Sequence, residues 1–422
     1  MTGEPAAPRP LLIDFVCQSS MGQSEGGLET WAYQYLPGLL RLYPAAQIRF
    51  YGALPVDRAD PSAALRAAAG ADQDRLTLTF FPIVPGKVPQ IVAMIRQFVA
   101  HKRQERAAPD VVITAGTFLE LIMVQLCRPA RRAFKVVWLR TIWVDQKTYR
   151  IPAFLRPLVR WTEARILRGA NLILANGSDI AERYGHFGLN VGVVRNAVDT
   201  LRWHASPPPL SAPIRVAFVG RLAIDKGIVQ FVELARRVAA GPARASFAFE
   251  VYGHMAEEAL VQAAADDGVL RWHGAADNAL LPGLLAGIDV CAALTFSDPH
   301  RGGGGTSNAM MEQLASGRIM LAWDNPIFRQ WLSPDNAYLA AQGDVAGLAA
   351  CLDQIRQDPA EARRRAANGQ AMMADFGIDA MLARFDAALR EAASQQGFPT
   401  RSNLSAQRLA IDRDGFRRRL DP

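Results

Sequence analysis

The chain has 422 residues, of which 50% are hydrophobic and 21% are charged. This composition is ordinary for globular proteins and excludes collagen-like, coiled-coil and largely disordered chains. The length favours two domains. The net charge of +7 leaves nucleic acid, anionic lipid or an acidic substrate open as partners, but nucleic acid ranks low because the sequence shows no RNA-binding motif or zinc finger.

Cysteine usage and the N-terminal sequence both favour a cytoplasmic protein. The cysteines are far apart and form no Cys-x-x-Cys pair, which predicts buried reduced thiols rather than a zinc or redox site. The first ten residues are polar and proline-rich, unlike a signal peptide. The apolar stretch at 111–127 is interrupted by Glu120, so it predicts a buried strand and a core helix rather than a membrane span. The four cysteines are Cys17, Cys127, Cys291 and Cys351.

Strand and helix patterns alternate along the whole chain. The predicted strands of the first half are residues 11–17, 48–51, 76–81, 111–114, 136–139 and 172–175. Those of the second half are residues 215–220, 247–253, 270–273, 290–294 and 319–323. Helical patterns between them include residues 28–42, 89–106 and 157–168. This alternation predicts an α/β protein with two doubly wound, parallel-sheet, Rossmann-like domains facing a cleft.

A proline-rich break at 206–213, Ser-Pro-Pro-Pro-Leu-Ser-Ala-Pro, separates the two halves. It predicts a stiff linker between an N-terminal domain at 1–205 and a C-terminal domain at 214–393, whose last helix can pack back on the first domain. Residues 394–422 are polar and basic and predict a tail. In sheets of this kind ligands bind at the carboxyl ends of the strands, so residues that follow strands are the site candidates.

The first candidate site lies at residues 216–227, Val-Ala-Phe-Val-Gly-Arg-Leu-Ala-Ile-Asp-Lys-Gly. Four apolar residues predict a buried strand, Gly220 and Arg221 a turn, and Lys226 the approach to an amphipathic helix at 228–239. Free amides at the helix start, together with the cations Arg221 and Lys226, suit a diphosphate. The spacing of a Walker loop is absent. The alternative is an ordinary strand-to-helix connection with two solvated cations.

The second candidate site lies at residues 300–317, where four glycines let the backbone approach a ligand closely. A helix follows, with Ser307 or Asn308 as its N-cap. Glu312 sits one turn in, where a carboxylate can accept hydrogen bonds from both hydroxyls of a ribose. The alternative is a flexible loop and a capped helix, with Glu312 as an ordinary first-turn acid. The residues of this segment whose backbone is a candidate for ligand contact are Gly304, Gly305, Thr306, Ser307 and Asn308.

Taken in order, these motifs resemble the large retaining nucleotide-sugar glycosyltransferase family of the GT-B fold (glycosyl transferases group 1 / family 4 type). The motifs are Gly220-Arg-Leu-x-x-x-Lys-Gly227, Val251-Tyr-Gly253 and Ser307-Asn-Ala-Met-Met-Glu-Gln-Leu-Ala-Ser-Gly317. The resemblance covers residues 11–392 and includes Gly26-Gly-Leu-Glu-Thr30, Leu172-Ile-Leu-Ala-Asn-Gly-Ser178 and Val194-Arg-Asn-Ala-Val-Asp199.

The resemblance implies a metal-independent enzyme with no bound cofactor. Such an enzyme moves a sugar from a nucleotide-diphosphate sugar to a glycan or lipid-linked acceptor with retention, in bacterial-type polysaccharide or glycolipid assembly. It implies that Arg221 and Lys226 hold the diphosphate and stabilise charge on the departing nucleotide, and that Glu312 holds the ribose. The implied backbone contacts to the donor are Gly26, Gly27, Gly220, Gly304, Gly305, Thr306, Ser307 and Asn308.

Two positions depart from the family pattern. Gly304 stands where the family usually has a glutamate that contacts the donor sugar, and Asp298 and His300 are candidate substitutes. Arg140 ends a predicted strand at a place where the family often has a histidine. It is a candidate contact for an acidic sugar or a phosphate, with pairing to Asp145 as the alternative.

Positive charge is concentrated in residues 87–168, which hold sixteen Lys or Arg against five Asp or Glu. The helical patterns at 89–106 and 157–168 interleave arginines with aromatic and aliphatic residues. Basic amphipathic helices can lie in a membrane interface, which indicates peripheral attachment to the inner face of the membrane. The alternative is a core-packed helix with a solvated basic face.

Two other functions stay open at this point. One is a nucleotide-sugar isomerase or epimerase of similar fold. The other is a nucleotide-sugar-binding protein without catalysis, which the glycine at position 304 suggests. A dinucleotide oxidoreductase is disfavoured because no Gly-x-Gly-x-x-Gly follows the first predicted strand.

Overall fold

The computed structural model describes residues 10–20, 27–56, 58–83, 87–105, 107–140, 151–254, 256–276, 280–297 and 308–397. Over these residues the chain forms two parallel sheets whose strands are joined by helices, as predicted. It divides into two compact units. The first unit ends at Val194, the second runs Arg195–Ala380, and the chain from Met381 onward returns to the first.

The sheet of the first unit has the strand order β3-β2-β1-β4-β5-β6-β7, and all its pairs are parallel. Its strands are β1 (Leu11–Ser20), β2 (Ala46–Pro55), β3 (Leu76–Ile83), β4 (Val111–Gly116), β5 (Phe134–Leu139), β6 (Leu172–Ala175) and β7 (Val191–Val193). Its helices are α1 (Gly27–Leu42), α2 (Ser62–Ala69), α3 (Lys87–Gln104), α4 (Leu119–Gln125), α5 (Arg156–Leu167) and α6 (Ser178–Gly185). The strand order reverses between β1 and β4.

The sheet of the second unit has the order β10-β9-β8-β11-β12-β13, again parallel throughout. Its strands are β8 (Ile214–Val219), β9 (Phe247–Tyr252), β10 (Arg271–Trp272), β11 (Val290–Ala293), β12 (Ile319–Asp324) and β13 (Tyr338–Ala341). Its helices are α7 (Ile228–Ala239), α8 (Glu258–Asp266), α9 (Leu281–Ala286), α10 (Asn308–Ala315), α11 (Val345–Gln357) and α12 (Pro359–Met373), followed by α13 (Ile378–Gln395). Here the order reverses between β8 and β11.

Strand burial explains why the apolar runs of the sequence form these sheets. Every residue of β4 is buried, as are five of the six in β12. Parallel strands covered by helices read as continuous apolar runs, which is the pattern that predicted them. The apolar stretch at 111–127 forms β4 and α4, and none of the described helices is long and apolar enough to cross a membrane. All four cysteines are buried, and none of them forms a disulfide bond.

The proline-rich segment differs from its predicted role as a spacer between domains. It lies inside the second unit, where the backbone amide of Leu210 donates to Asp289 and Arg363 donates to the carbonyls of Pro208 and Pro209. Trp203, which precedes it, is buried in the core of the same unit. The boundary therefore falls at 194/195 rather than after 205, because these contacts fix the segment to the second sheet.

The end of the chain completes the core of the first unit. Phe385 of α13 stacks on Trp138 of β5, with ring centroids 5.1 Å apart and planes 7° from parallel. The Tyr43 hydroxyl donates a 2.8 Å hydrogen bond to Asp386. The second unit accordingly ends at Ala380, thirteen residues before the predicted limit of 393. Helix α13 extends to Gln395, and residues 398–422 of the predicted tail lie outside the described residues.

Candidate functional site

The turn that follows β8 is held against the end of β9 by two glycines. Gly220 has φ 148° and donates its amide to the carbonyl of Tyr252 at 3.0 Å. Gly253 has φ 157°, and a Cβ atom there would lie 1.9 Å from the carbonyl oxygen of Gly220. Only glycine fits so close an approach of two backbones. The Val-Tyr-Gly motif therefore fixes the path of the Gly220 turn.

A third glycine joins this turn to the segment after β11. Gly227 adopts a left-handed conformation with φ 81° at the N-cap of α7. A Cβ atom on it would lie 2.3 Å from the carbonyl oxygen of Leu294. Nearby, the amide of Phe296 donates to the carbonyl of Asp225 at 2.9 Å. The chain segments that follow β8 and β11 thus pack together where the strand order reverses, which is the expected ligand position in such sheets.

Arg221 and Lys226 bring two positive charges to this place. Arg221 is exposed and Lys226 is half-buried. Burial lowers the pKa of Lys226, and the nearby positive charge of Arg221 lowers it further. Among the described residues, neither side chain forms a hydrogen bond or a salt bridge, although Asp225 lies within electrostatic range of Lys226. A bound anion would relieve both the desolvation of the ammonium and the repulsion between the two cations.

The start of α7 adds backbone donors to the two cations. The first intrahelical bond runs from the amide of Phe231 to the carbonyl of Gly227. The amides of the preceding turn have no partner within the helix, and no side chain caps it. Free amides and the helix dipole favour an anion at such a point. The alternative of an ordinary connection accounts for the helix but not for a half-buried cation without an ion pair.

Glu312 on α10 is a buried carboxylate without a hydrogen-bond donor. Its exposed fraction is 8%, and its side chain makes no hydrogen bond with any described residue. Burial raises the pKa of Glu312 to about 7, an effect that Arg202 partly opposes. Helix α10 begins at Asn308, so Glu312 lies beyond the first turn. A buried carboxylate beyond the first turn does not fit the alternative of an ordinary first-turn acid.

Asn308 is the first residue of α10, and its side chain is already engaged. The buried Asn196 donates from Nδ2 to Oδ1 of Asn308 at 2.7 Å. This contact orients the start of the helix that carries Glu312. Sequence reasoning did not single out Asn196 or Arg202 as site residues. The indication for Asn196 lay in the run Val194-Arg-Asn-Ala-Val-Asp199. An asparagine that is buried next to a linker needs a specific polar partner.

The remaining predicted residues divide between the first unit and the part of the chain that the structure does not describe. Arg140 directly follows β5, and Gly27 is the first residue of α1. Asp145, the alternative partner of Arg140, lies outside the described residues. The predicted site residues that also lie outside them are Gly26, Asp298, His300, Gly304, Gly305, Thr306 and Ser307. Within the described residues, no group of three or more His, Cys, Asp or Glu side chains could hold a metal ion.

Comparison with known proteins agrees with this geometry. Residues 213–358, which contain the turn after β8 and helix α10, match the protein-family model described as Glycosyl transferases group 1. The glycogen synthase of Mycobacterium tuberculosis (strain CDC 1551 / Oshkosh) is 26% identical over 225 residues. That alignment covers 52% of each chain, so this protein spans about half the length of the curated relatives it matches.

Solved structures of low sequence identity share the fold over 90–91% of this chain. Anabaena HepE in complex with UDP has a TM-score of 0.65 at 17% identity, covering 90% of this chain and 100% of that one. Sucrose-phosphate synthase from Thermosynechococcus elongatus has a TM-score of 0.68 at 15% identity, with 91% and 100% covered. The fold is therefore the GT-B fold, and the resemblance to glycosyl transferases group 1 is confirmed.

Proposed function

We propose that this protein is a glycosyltransferase that moves a sugar from a nucleoside diphosphate sugar to a glycan or lipid-linked acceptor. The observation that carries the proposal is the arrangement where the strand order of the second sheet reverses. There, Arg221 and Lys226 form no ion pair with a described residue and precede α7. Glu312 lies on α10, and its buried side chain accepts no hydrogen bond from a described residue. A diphosphate and a ribose would satisfy these groups together.

The same residues suit the departure of a nucleotide. When the bond from the sugar to the diphosphate breaks, negative charge develops on the leaving oxygens. Arg221 and Lys226 would stabilise that charge without moving, because the Gly227 contact fixes the start of α7. Glu312 would bind both hydroxyls of the ribose and so keep the nucleotide in register. No step in this scheme calls for a metal ion or another cofactor.

Retention of configuration and the class of acceptor are further parts of the proposal. Retention is what the motif resemblance implies, and a glycan acceptor agrees with the glycogen synthase relative. A role in polysaccharide or glycolipid assembly agrees with that relative. UDP is the first nucleotide to try, because HepE binds it.

The α5 face supports a cytoplasmic site of action at the inner face of the membrane. We define it as the exposed side chains of Phe154, Leu158 and Trp161, whose exposed fractions are 80%, 59% and 56%. Leu158 and Trp161 are three residues apart and lie on one side of α5, while Phe154 lies two residues before the helix begins. Arg165 is also exposed, while Glu163 is buried and accepts a hydrogen bond from Tyr184. An apolar face flanked by cations suits an anionic lipid surface.

A panel of nucleotide sugars tests the function. We expect the purified protein to hydrolyse one donor slowly, to transfer its sugar to a glycan or lipid-linked acceptor, and to yield a product with the donor's anomeric configuration by NMR. Binding without turnover would instead support an inactive nucleotide-sugar-binding protein. Conversion of the sugar while it stays attached to the nucleotide would support an epimerase.

A further inference from the structure

Arg140 lies where the strand order of the first sheet reverses. Strands β1 and β4 are direct neighbours there, and β5 pairs with β4. The backbone amide of Arg140 donates a 2.9 Å hydrogen bond to the carbonyl of Gly116, the last residue of β4. Its guanidinium lies over the ring of Trp31 on α1, the helix that follows β1. This is the position at which doubly wound sheets bind ligands.

Aromatic side chains hold the guanidinium in place. Its central carbon lies 4.8 Å from the centroid of the Trp31 ring. Trp31 in turn stacks on Tyr35 at 4.7 Å and meets Trp138 edge-on at 5.0 Å. All three rings are buried. A cation seated on a rigid aromatic surface loses little conformational freedom when it binds a ligand.

The side chain of Arg140 is half-buried and has no acidic partner within the part of the chain that the structure describes. Nη1 of Arg140 is buried and forms no hydrogen bond, and within the described residues no carboxylate pairs with the group. Burial lowers the pKa of Arg140 to about 10. Glu120, an acid that follows the end of β4, accepts from the amide and hydroxyl of Thr117 instead.

Arg318 has a structural role in this protein, and its hydrogen bonds provide a comparison for Arg140. Its side chain is fully buried, and it donates to the carbonyls of Ser316, Ile288 and Ser206. Every branch of that guanidinium therefore has an acceptor. Arg140 has no such set of acceptors among the described residues, although leaving a desolvated charge unpaired is costly. A desolvated cation with a free donor, at a position where such sheets bind ligands, is suited to binding an anion.

We propose that Arg140 binds an oxyanion, a carboxylate or a phosphate group, carried by a substrate of this enzyme. That the anion belongs to a substrate rests on the proposed function. The planar guanidinium would donate two parallel hydrogen bonds to the oxyanion. The two sources of such a group are the donor sugar and the acceptor.

Binding of inorganic phosphate tests the site without any nucleotide. The parent protein for this experiment carries Arg221→Gln and Lys226→Gln, which remove the cations of the second unit. We expect phosphate to raise its melting temperature, and Arg140→Met in that parent to weaken phosphate binding about tenfold or more. Arg128→Met, at an exposed arginine of the first unit, is the matched control and should leave the effect intact.

Stability without phosphate separates a binding role from a structural one. Arg140→Met removes a desolvated charge that has no acidic partner among the described residues, so we expect this variant to melt higher than its parent when no anion is present. Arg140→Lys keeps a charge and should keep part of the phosphate effect. The proposal is overturned if the parent shows no stabilisation by phosphate, or if Arg140→Met or the lysine variant binds phosphate as tightly as the parent.

Turnover by the protein with its second-unit cations intact identifies the source of the anion. If the donor sugar carries it, UDP-glucuronate is hydrolysed faster than UDP-glucose and Arg140→Met abolishes this preference. If the acceptor carries it, Arg140→Met lowers the rate of transfer to the acceptor far more than the rate of donor hydrolysis. Either result supports the site. Phosphate binding at Arg140 in a protein that neither binds nor turns over any nucleotide sugar would reject the proposed function while supporting the oxyanion site.

Discussion

The carbonyl oxygen of Leu294 occupies the space that a side chain on Gly227 would need, 2.3 Å from the position of its Cβ atom. The same glycine has φ 81°, which side-chain-bearing residues rarely adopt. Two independent constraints therefore demand glycine at the start of α7. The contact also decides where the cation of Lys226 is held, because Lys226 immediately precedes this glycine.

Gly227→Ala should lower both stability and nucleotide affinity. We expect the left-handed conformation to cost about 1 kcal/mol and the clash with Leu294 to cost about 1–3 kcal/mol more. Gly268→Ala is the matched control, since Gly268 has φ 67° but nothing lies within 4 Å of its Cβ position. Urea denaturation and calorimetry with UDP measure the two effects. Equal losses in both variants would contradict the importance of the Leu294 contact.

Arg221→Ala and Lys226→Ala should each weaken binding of a nucleoside diphosphate. Each removes charge-assisted hydrogen bonds, so we expect a loss of about 1.5–3 kcal/mol apiece. Arg237→Ala, at an exposed arginine in the last turn of the same helix, should change affinity little. Calorimetry with UDP and with other nucleoside diphosphates is the measurement. Unchanged affinity for every nucleotide in both site variants would reject the diphosphate assignment.

Nucleotide affinity should rise with pH through about 7, because only the ionised carboxylate of Glu312 accepts from both ribose hydroxyls. Glu312→Gln should bind the nucleotide more weakly than the wild type, and its affinity should no longer depend on pH in this range. The wild type should also prefer the ribose nucleotide to its 2′-deoxy form. Titration calorimetry at pH 6 and pH 8 measures the affinity of the wild type and of Glu312→Gln for the two nucleotides. Equal affinity of the wild type for both nucleotides would show that Glu312 does not hold the ribose.

The stability of the unliganded protein should fall as pH rises from about 4.5 to about 7. The folded state binds the proton of Glu312 more tightly than the unfolded state, because burial raises the pKa from its usual 4.5 to about 7. Stability from this group is thus complete below pH 4.5 and lost above pH 7, with a total of up to about 3 kcal/mol. Urea denaturation of wild type and Glu312→Gln across this range measures it. Parallel curves for the two proteins would contradict the assignment.

Activity should survive EDTA, since the proposed scheme stabilises the leaving diphosphate with Arg221 and Lys226 rather than with a metal ion. The donor-hydrolysis rate measured before and after chelation is the check. A rate abolished by EDTA and restored by magnesium or manganese would show that a metal shares this task.

The α5 face should bind anionic vesicles. Each cation near the surface contributes about 1 kcal/mol, so binding should weaken as salt rises. Phe154→Ser with Leu158→Ser should release the protein, because the apolar part of the face is lost. The matched control is Leu201→Ser with Leu280→Ser, at positions that are 90% and 65% exposed in the second unit. Vesicle sedimentation measures the binding of each variant. Equal binding by both double variants would show that the α5 face is not the membrane contact.

The sequence predicted the long elements well, because buried parallel strands and amphipathic helices leave strong patterns. Helix α7 was predicted with its actual limits, and strand β6 likewise. Strands β7 and β13 were missed. They are three and four residues long, and β7 contains Gly192, so neither leaves a readable run. The predicted domain boundary, which was set by the proline-rich segment, differs from the observed one. The docking of this segment depends on residues distant in sequence, such as Asp289, and no local pattern shows it.

For the candidate site, the residue types could be predicted from the sequence, but the burial and the partners of their side chains could not. The sequence identified Glu312 from its motif, but burial without a donor emerges only from the packing of α10. The contact between Asn196 and Asn308 joins residues 112 positions apart, and no local pattern encodes it. The lack of an ionic partner at Arg140 is likewise a property of the folded neighbourhood.

Helix α13 has a consequence for the timing of folding during synthesis. Phe385 and Asp386 supply the partners of Trp138 and Tyr43, so the first unit lacks part of its core until the ribosome has passed them. The second unit, Arg195–Ala380, has by then been made in full. Most multidomain chains complete their domains from the N-terminus onward. In this protein the unit that begins first should be the last to reach its native packing.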